Sequence, residues 1–282
     1  MLNVLQAQLY RLKKSKLFWS LFIVCAVLPI IGMILLTGLM SVLAAAFEGE
    51  STAIIDAFKL EGGELTMSAI GGMANLGSDA ILFSIICSSI FLSGEFSGGA
   101  IRNMVLANKS RTQIFLSFLS VSLIIGFSYF GVEYVSTIAS YGIVMGFGGV
   151  PVAKAVSVCF ASLFLGLIAI ALMQSCVCLF LFSTRKTGPT VAFPILLLIF
   201  APSLISTIVN IVVSLKTTFG QSVSEALLSW IPLYNMEFYS QRLFDTSSFD
   251  GGLVGKIALY NIPIAALLAT FSWLAISKAD LK

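Results

Sequence analysis

The chain contains no histidine. This removes histidine-ligated metals, imidazole proton relays and Ser-His or Cys-His nucleophilic pairs from consideration. Charge is almost as scarce: Asp, Glu, Lys and Arg make up 10% of the 282 residues, against about 25% in a soluble domain. Hydrophobic residues make up 58%. A chain so composed cannot cover itself with a water-facing surface, so it reads as a membrane protein of several passes. Cys25, Cys87, Cys159, Cys176 and Cys178 all lie in apolar stretches and read as small hydrophobes. A phosphate-binding loop is imitated by Gly251–Lys256. The imitation fails because Asp250 stands where the first glycine is needed and Ile257 replaces Ser or Thr. No ATP hydrolysis is expected on this chain, and no nucleic-acid partner.

Long apolar runs are what the sequence has instead. Met1–Leu17 places Leu2, Leu5, Leu9 and Leu12 at helical spacing and ends in Arg11, Lys13, Lys14 and Lys16. This is the pattern of an amphipathic helix lying on an anionic membrane face. Phe18–Phe47 is a 30-residue uncharged run, far longer than the roughly 7–15 residues of a signal-peptide core. The expected fold is all-α and polytopic, with six spans over about 18–47, 70–94, 112–140, 155–184, 187–215 and 257–277. Residues 48–69 and 216–256 form two polar outer segments. The whole chain, 1–282, is read as one transmembrane domain.

Two carboxylates stand out. Ala80–Gly94 is 15 residues, about 22 Å of helix against a core of roughly 30 Å. The second span therefore starts earlier or continues past Glu95, and Asp79 or Glu95 sits near apolar depth and needs a partner. Glu133 interrupts the long run from Thr112 to Val150. A helix from Thr112 rises about 32 Å to reach it, which places it at the outer interface, within reach of water. Glu133 is the one candidate intramembrane or interfacial functional carboxylate. It is also what an ion-coupled secondary transporter would have to use.

Orientation follows from the cations. With six spans, 11 Lys and Arg fall on the side of the two chain ends and 5 on the other. The acidic residues run the opposite way, so both ends are expected in the cytoplasm. A separate span over Tyr134–Ala153 would make seven and put Arg185, Lys186, Lys278 and Lys282 outside, against that rule.

The rest of the chain is organised around Leu92–Leu119, LSGEFSGGAIRNMVLANKSRTQIFLSFL. An apolar span leads into a short turn bearing Glu95, Arg102, Lys109 and Arg111 with Gly94, Gly98 and Gly99, and a new span follows. The order Glu95, Gly99, Ile101-Arg102-Asn103, then Ser110-Arg111, resembles the permease subunits of ABC-2 type exporters (the type V exporter architecture). Ala100 stands where that family often has Thr, and Ala107-Asn108 where it often has Pro. The resemblance implies a cytoplasmic coupling helix between spans two and three, with Glu95, Phe96, Gly98, Gly99, Ile101, Arg102 and Asn103 meeting a separate nucleotide-binding ATPase subunit. It further implies that ATP and Mg are held by that partner and that the chain pairs with a second copy or a paralogue. The setting it implies is a bacterial plasma membrane and the cargo an amphipathic or hydrophobic one, an antimicrobial or toxin peptide first.

The charge distribution yields a direct test of topology. In a cysteine-free background, Ser51→Cys and Ser247→Cys should react with an impermeant thiol reagent in intact cells, whereas Ser15→Cys and Ser183→Cys should not. Outside labelling at residue 183 would overturn six spans in favour of seven.

Overall fold

The computed structural model describes residues 2–46, 66, 69–71, 79–98, 101, 104, 110–147, 150–214 and 251–278. Among the described residues seven helices carry the fold: α1 (Leu2–Lys14), α2 (Lys16–Ala46), α3 (Asp79–Ser97), α4 (Arg111–Val144), α5 (Val152–Thr184), α6 (Thr187–Ser214) and α7 (Gly251–Ser277). No strand occurs among the described residues. Lipid offers no hydrogen bonds, so an apolar chain satisfies its backbone within each helix. Among the described residues five helical stretches are long and apolar enough to cross a membrane: Lys16–Leu39, Asp79–Ser97, Arg111–Val144, Val152–Thr184 and Val254–Ser277. A sixth, Thr187–Phe200 at the start of α6, is apolar but shorter. The protein is an all-α, multi-pass membrane architecture.

Boundaries follow identifiable signals. Ser110 caps α4 by accepting the Gln113 N–H through its hydroxyl at 3.2 Å. At the far end of α4, Gly146 takes φ 77, the left-handed conformation that glycine adopts without penalty, and the chain turns toward Pro151 and α5. Helix α5 ends at Arg185, which is itself left-handed at φ 55. Its N–H reaches Leu181 O at 2.9 Å, and α6 begins at once, so the two-residue turn Arg185-Lys186 is as tight as its sequence suggests. Two boundaries differ from expectation. The second span runs on past Glu95 to Ser97, and α7 starts at Gly251, so the glycine-rich 251–256 stretch forms its first turns instead of belonging to the outer segment. Glycine is tolerated there because helix is the cheapest backbone state near lipid. Most of both outer segments (48–69 and 216–256), together with Gly99, Arg102 and Asn103, lies outside the described residues.

Helices α4 and α5 form the centre. Helix α4 packs against α1, α2, α3, α5 and α7, and α5 against α3, α4, α6 and α7. Two reciprocal contacts hold α4 to α5. A Cβ at Gly126 would come within 2.4 Å of Ile170 Cγ2, and one at Gly166 within 2.2 Å of Phe130 Cζ. Small residues let membrane helices approach closely, and dispersion between tightly packed atoms then replaces the hydrophobic drive that lipid does not supply. A buried polar seam crosses the same contact: Ser122 donates to Gln174 Oε1, and Gln174 Nε2 donates to Ser84 Oγ at 2.8 Å. It ties α3, α4 and α5 together.

The outer helices are joined by single hydroxyls. Tyr129 OH donates to Phe18 O at 3.0 Å and Ser89 Oγ to Thr190 O at 3.0 Å. Ser136 Oγ donates to Ala26 O, next to the Cys25 carbonyl that Pro29 deprives of its helical donor. The pair Gly142 and Gly146, at G-x-x-x-G spacing, serves the turn itself, since Phe147 packs on Gly142. All five cysteines are free thiols, and Cys25, Cys87, Cys176 and Cys178 are buried.

The Gly166 contact should not admit a larger residue. Gly166→Leu drives a side chain into the Phe130 ring and should destabilise the protein by about 1–3 kcal/mol or prevent assembly. Gly131→Leu, at a site with open space around it, should be tolerated. Thermal unfolding of the two variants in detergent distinguishes them, and equal behaviour would contradict the packing described.

Candidate functional site

Several ends meet at one face of the bundle. Glu95 lies at the end of α3, 2% exposed, and its partner is Arg11 of α1, 56% exposed. Arg11 Nη1 stands 2.7 Å from both carboxylate oxygens. Arg102, seven residues on from Glu95, shares its helix face only if the helix is continuous. The bond comes instead from 84 residues away, where the basic end of the amphipathic helix crosses the bundle. A carboxylate buried this far is costly without a counter-charge, which explains why α1 is drawn onto α3 here.

Below the pair is an aromatic cluster. Phe96 meets Phe118 of α4 and Phe182 of α5 with ring centroids 5.8 Å apart in each case, both edge-on. Phe115 and Phe118 close on Phe182 at 5.8 and 5.7 Å. The end of α3, the start of α4 and the end of α5 are thereby pinned together just where the connecting turn leaves the bundle. Gly98 is exposed, its N–H bonded to Gly94 O at 2.9 Å, and Ile101 is buried against the core. The exit of the turn is also held. Arg111 Nη1 donates to Ser277 O at the end of α7, and Trp273 Nε1 donates to Thr112 Oγ1 at 3.3 Å. An arginine on the last carbonyls of a helix satisfies groups that have no helical donor and opposes the negative end of the dipole. Of the expected coupling residues, Glu95, Phe96, Gly98 and Ile101 come together here.

Sequence reading missed part of this face. The buried stripe of α1 is Val4, Gln8 and Leu12, flanked by half-buried Leu5 and Leu9. Gln8 is 1% exposed and its amide has no hydrogen-bond partner among the described residues. A lone glutamine between leucines carries no signal for burial; only the docking of α1 onto α4 and α2 puts it inside.

Glu133 lies further along α4, 11 residues short of its end at Val144, and here the expectation needs correction. It does not reach water: the residue is 4% exposed and faces the interior. Cys25 Sγ of α2 is 4.0 Å from Oε2, and the first backbone N–H groups of α3, at Asp79 and Ala80, lie close to the carboxylate. Those N–H groups have no acceptor within their own helix and form the positive end of its dipole, so a negative charge from α4 suits that place. Its level along α4 is the one the helical rise gave; the neighbouring helix start converts it from an interfacial group to an internal one. Asp79 itself is exposed. No three Cys, Asp or Glu side chains among the described residues are grouped so as to hold a metal ion.

The two sites are therefore different in kind. One site holds the end of α3 and the start of α4, both tethered to other helices; the other is an internal carboxylate where α2, α3 and α4 meet. No family model matches the chain, and no curated protein matches it.

The Arg11–Glu95 bond has a measurable signature. Arg11→Ala leaves a buried carboxylate unpaired and should cost about 1–3 kcal/mol in thermal unfolding, with Glu95→Gln milder. Adding Glu95→Gln to Arg11→Ala should recover part of the loss. Strict additivity of the two changes would mean that the pair contributes no coupling.

Proposed function

We propose that the chain is the permease subunit of an ATP-driven exporter of the ABC-2 type, working with a separate nucleotide-binding ATPase that carries ATP and Mg. The observation that carries this reading is the α3–α4 turn, tethered on entry by Arg11–Glu95, on exit by Arg111 to the end of α7, and seated on Phe96, Phe118 and Phe182. A loop that merely joins two spans does not need such fastening. A turn that receives a push from outside the bilayer and passes it to several helices without slack does. Gly98 and Gly99 would let a partner's backbone approach, and Arg102 and Asn103 would offer polar contacts to it.

Six spans fit the same reading. The ends of α3 and α5 meet through Phe96 and Phe182, and the end of α7 meets the start of α4 through Arg111. A chain that leaves this face after Arg185 and returns to it at Ser277 must cross between them, and α6 is the helix available. With the excess of Lys and Arg on this face, it is the cytoplasmic one, both termini with it, in a bacterial plasma membrane. A second copy or a paralogue completes the pathway, and its cargo is amphipathic or hydrophobic, a peptide first.

The second reading, an ion-coupled transporter, draws support from the burial of Glu133 against α2 and α3. One experiment separates the two. The neighbouring reading frames are searched for a nucleotide-binding ATPase, which is co-purified with wild type, Gly99→Trp, Arg102→Glu and Glu133→Gln, and cargo export is measured for each. Gly99→Trp and Arg102→Glu should insert and dimerise but lose the ATPase or the link between hydrolysis and export. Glu133→Gln should retain both within a few-fold. Normal ATPase binding and export by the first two, with loss only in Glu133→Gln, would replace the first reading by the second.

A further inference from the structure

The corner where α1 meets α2 carries a cationic patch that neither transport reading uses. Arg11, Lys13, Lys14 and Lys16 are all exposed there. Among the described residues the only carboxylate at this end of the bundle is Glu95. The patch cannot swing freely, because Val4, Gln8 and Leu12 bury the opposite face of α1. The corner itself is closed by two hydrogen bonds: Ser15 N–H donates to Leu12 O at 2.9 Å, and the indole N–H of Trp19 donates to Lys13 O at 2.8 Å. Exposed Trp19 and Tyr10 frame the cations, with Lys14 Nζ 4.5 Å from the centre of the Tyr10 ring. Directly beyond begins the apolar span Lys16–Leu39. Cations interleaved with amphipathic aromatics at the foot of a membrane span lie at headgroup level.

Arg11 adds a feature that a general basic surface lacks. It spends Nη1 alone on Glu95, and more than half of its side chain remains exposed. A guanidinium presents five N–H donors in a fixed fork, so the remaining donors suit a phosphodiester while Nη1 stays on the carboxylate. We propose that this corner binds the headgroup of an anionic phospholipid, its phosphate held by Lys13, Lys14, Lys16 and the free edge of Arg11. The bound lipid then bridges through Arg11 to Glu95 and stiffens the entry to the α3–α4 turn. The inference requires only that the chain sits in a bilayer and does not rest on the exporter reading.

The test is thermal unfolding of the purified full-length protein in zwitterionic phosphatidylcholine nanodiscs, with and without phosphatidylglycerol. At a lipid excess of about 100-fold over Kd, wild type should gain roughly 5–10 °C. Inorganic phosphate should give no gain. The exposed-site triple variant Lys13→Gln/Lys14→Gln/Lys16→Gln should lose most of the shift, and Arg11→Gln part of it. Lys154→Gln/Lys256→Gln, which removes charge at the opposite end, should respond like wild type. Glu95→Gln, which leaves all four cations in place, should keep the response. An equal shift in wild type and the triple variant, no shift in wild type, a shift reproduced by phosphate alone, or loss in the opposite-end control would each overturn the proposal.

Discussion

Everything in this protein depends on how closely α4 and α5 can approach. Inside a bilayer, lipid tails are as apolar as leucine, so burying a leucine between helices gains little over leaving it in lipid. What remains is contact density. The glycines at 126 and 166 remove the atoms that would hold the two helices apart, and Ile170 and Phe130 fill the spaces. Ser122, Gln174 and Ser84 then bond across the same seam and admit α3 to the unit. Once these three helices are fixed, α2, α6 and α7 are fastened to them from outside by hydroxyl-to-carbonyl bonds.

Two sites on the rigid unit put buried carboxylates to different uses. Glu95 is satisfied by a guanidinium on a helix that lies outside the set of membrane-length helices, so its neutralisation recruits α1 to the bundle. Glu133 sits against the Cys25 thiol and the start of α3, where the positive end of the helix dipole suits a negative charge. The first arrangement leaves Arg11 with donors to spare at a lipid-facing corner. The second leaves the carboxylate enclosed.

The α3–α4 connection is held at both flanks by contacts that no local motif contains. Its flanks are bonded to α1 and α7, elements from opposite ends of the chain. A displacement at the turn would be carried along α3 and α4 to the Gln174 seam, and along α7 to α5, against which α7 packs. This is the geometry by which one small surface element could move several spans together. It is also why lipid binding at Arg11 would bear on the same element.

Much of the architecture was legible in the residues themselves. The apolar runs placed α2, α4, α5 and α6 to within a few residues, because a backbone that meets no water has little choice but to be helical. Cation placement marked one face, and the turn Arg185-Lys186 announced itself by charge between two apolar stretches. The need of Glu95 for a partner was also readable, from the shortness of the run before it. What the tertiary structure alone decided is who meets whom across the bundle. Hydropathy has no term for which helix face turns toward which neighbour, so Arg11 as the partner of Glu95, the burial of Gln8 and the enclosure of Glu133 by the start of α3 were invisible. Each arises from side chains far apart in the chain competing for the same unsatisfied charge or N–H group, and that competition is settled only when the helices are side by side.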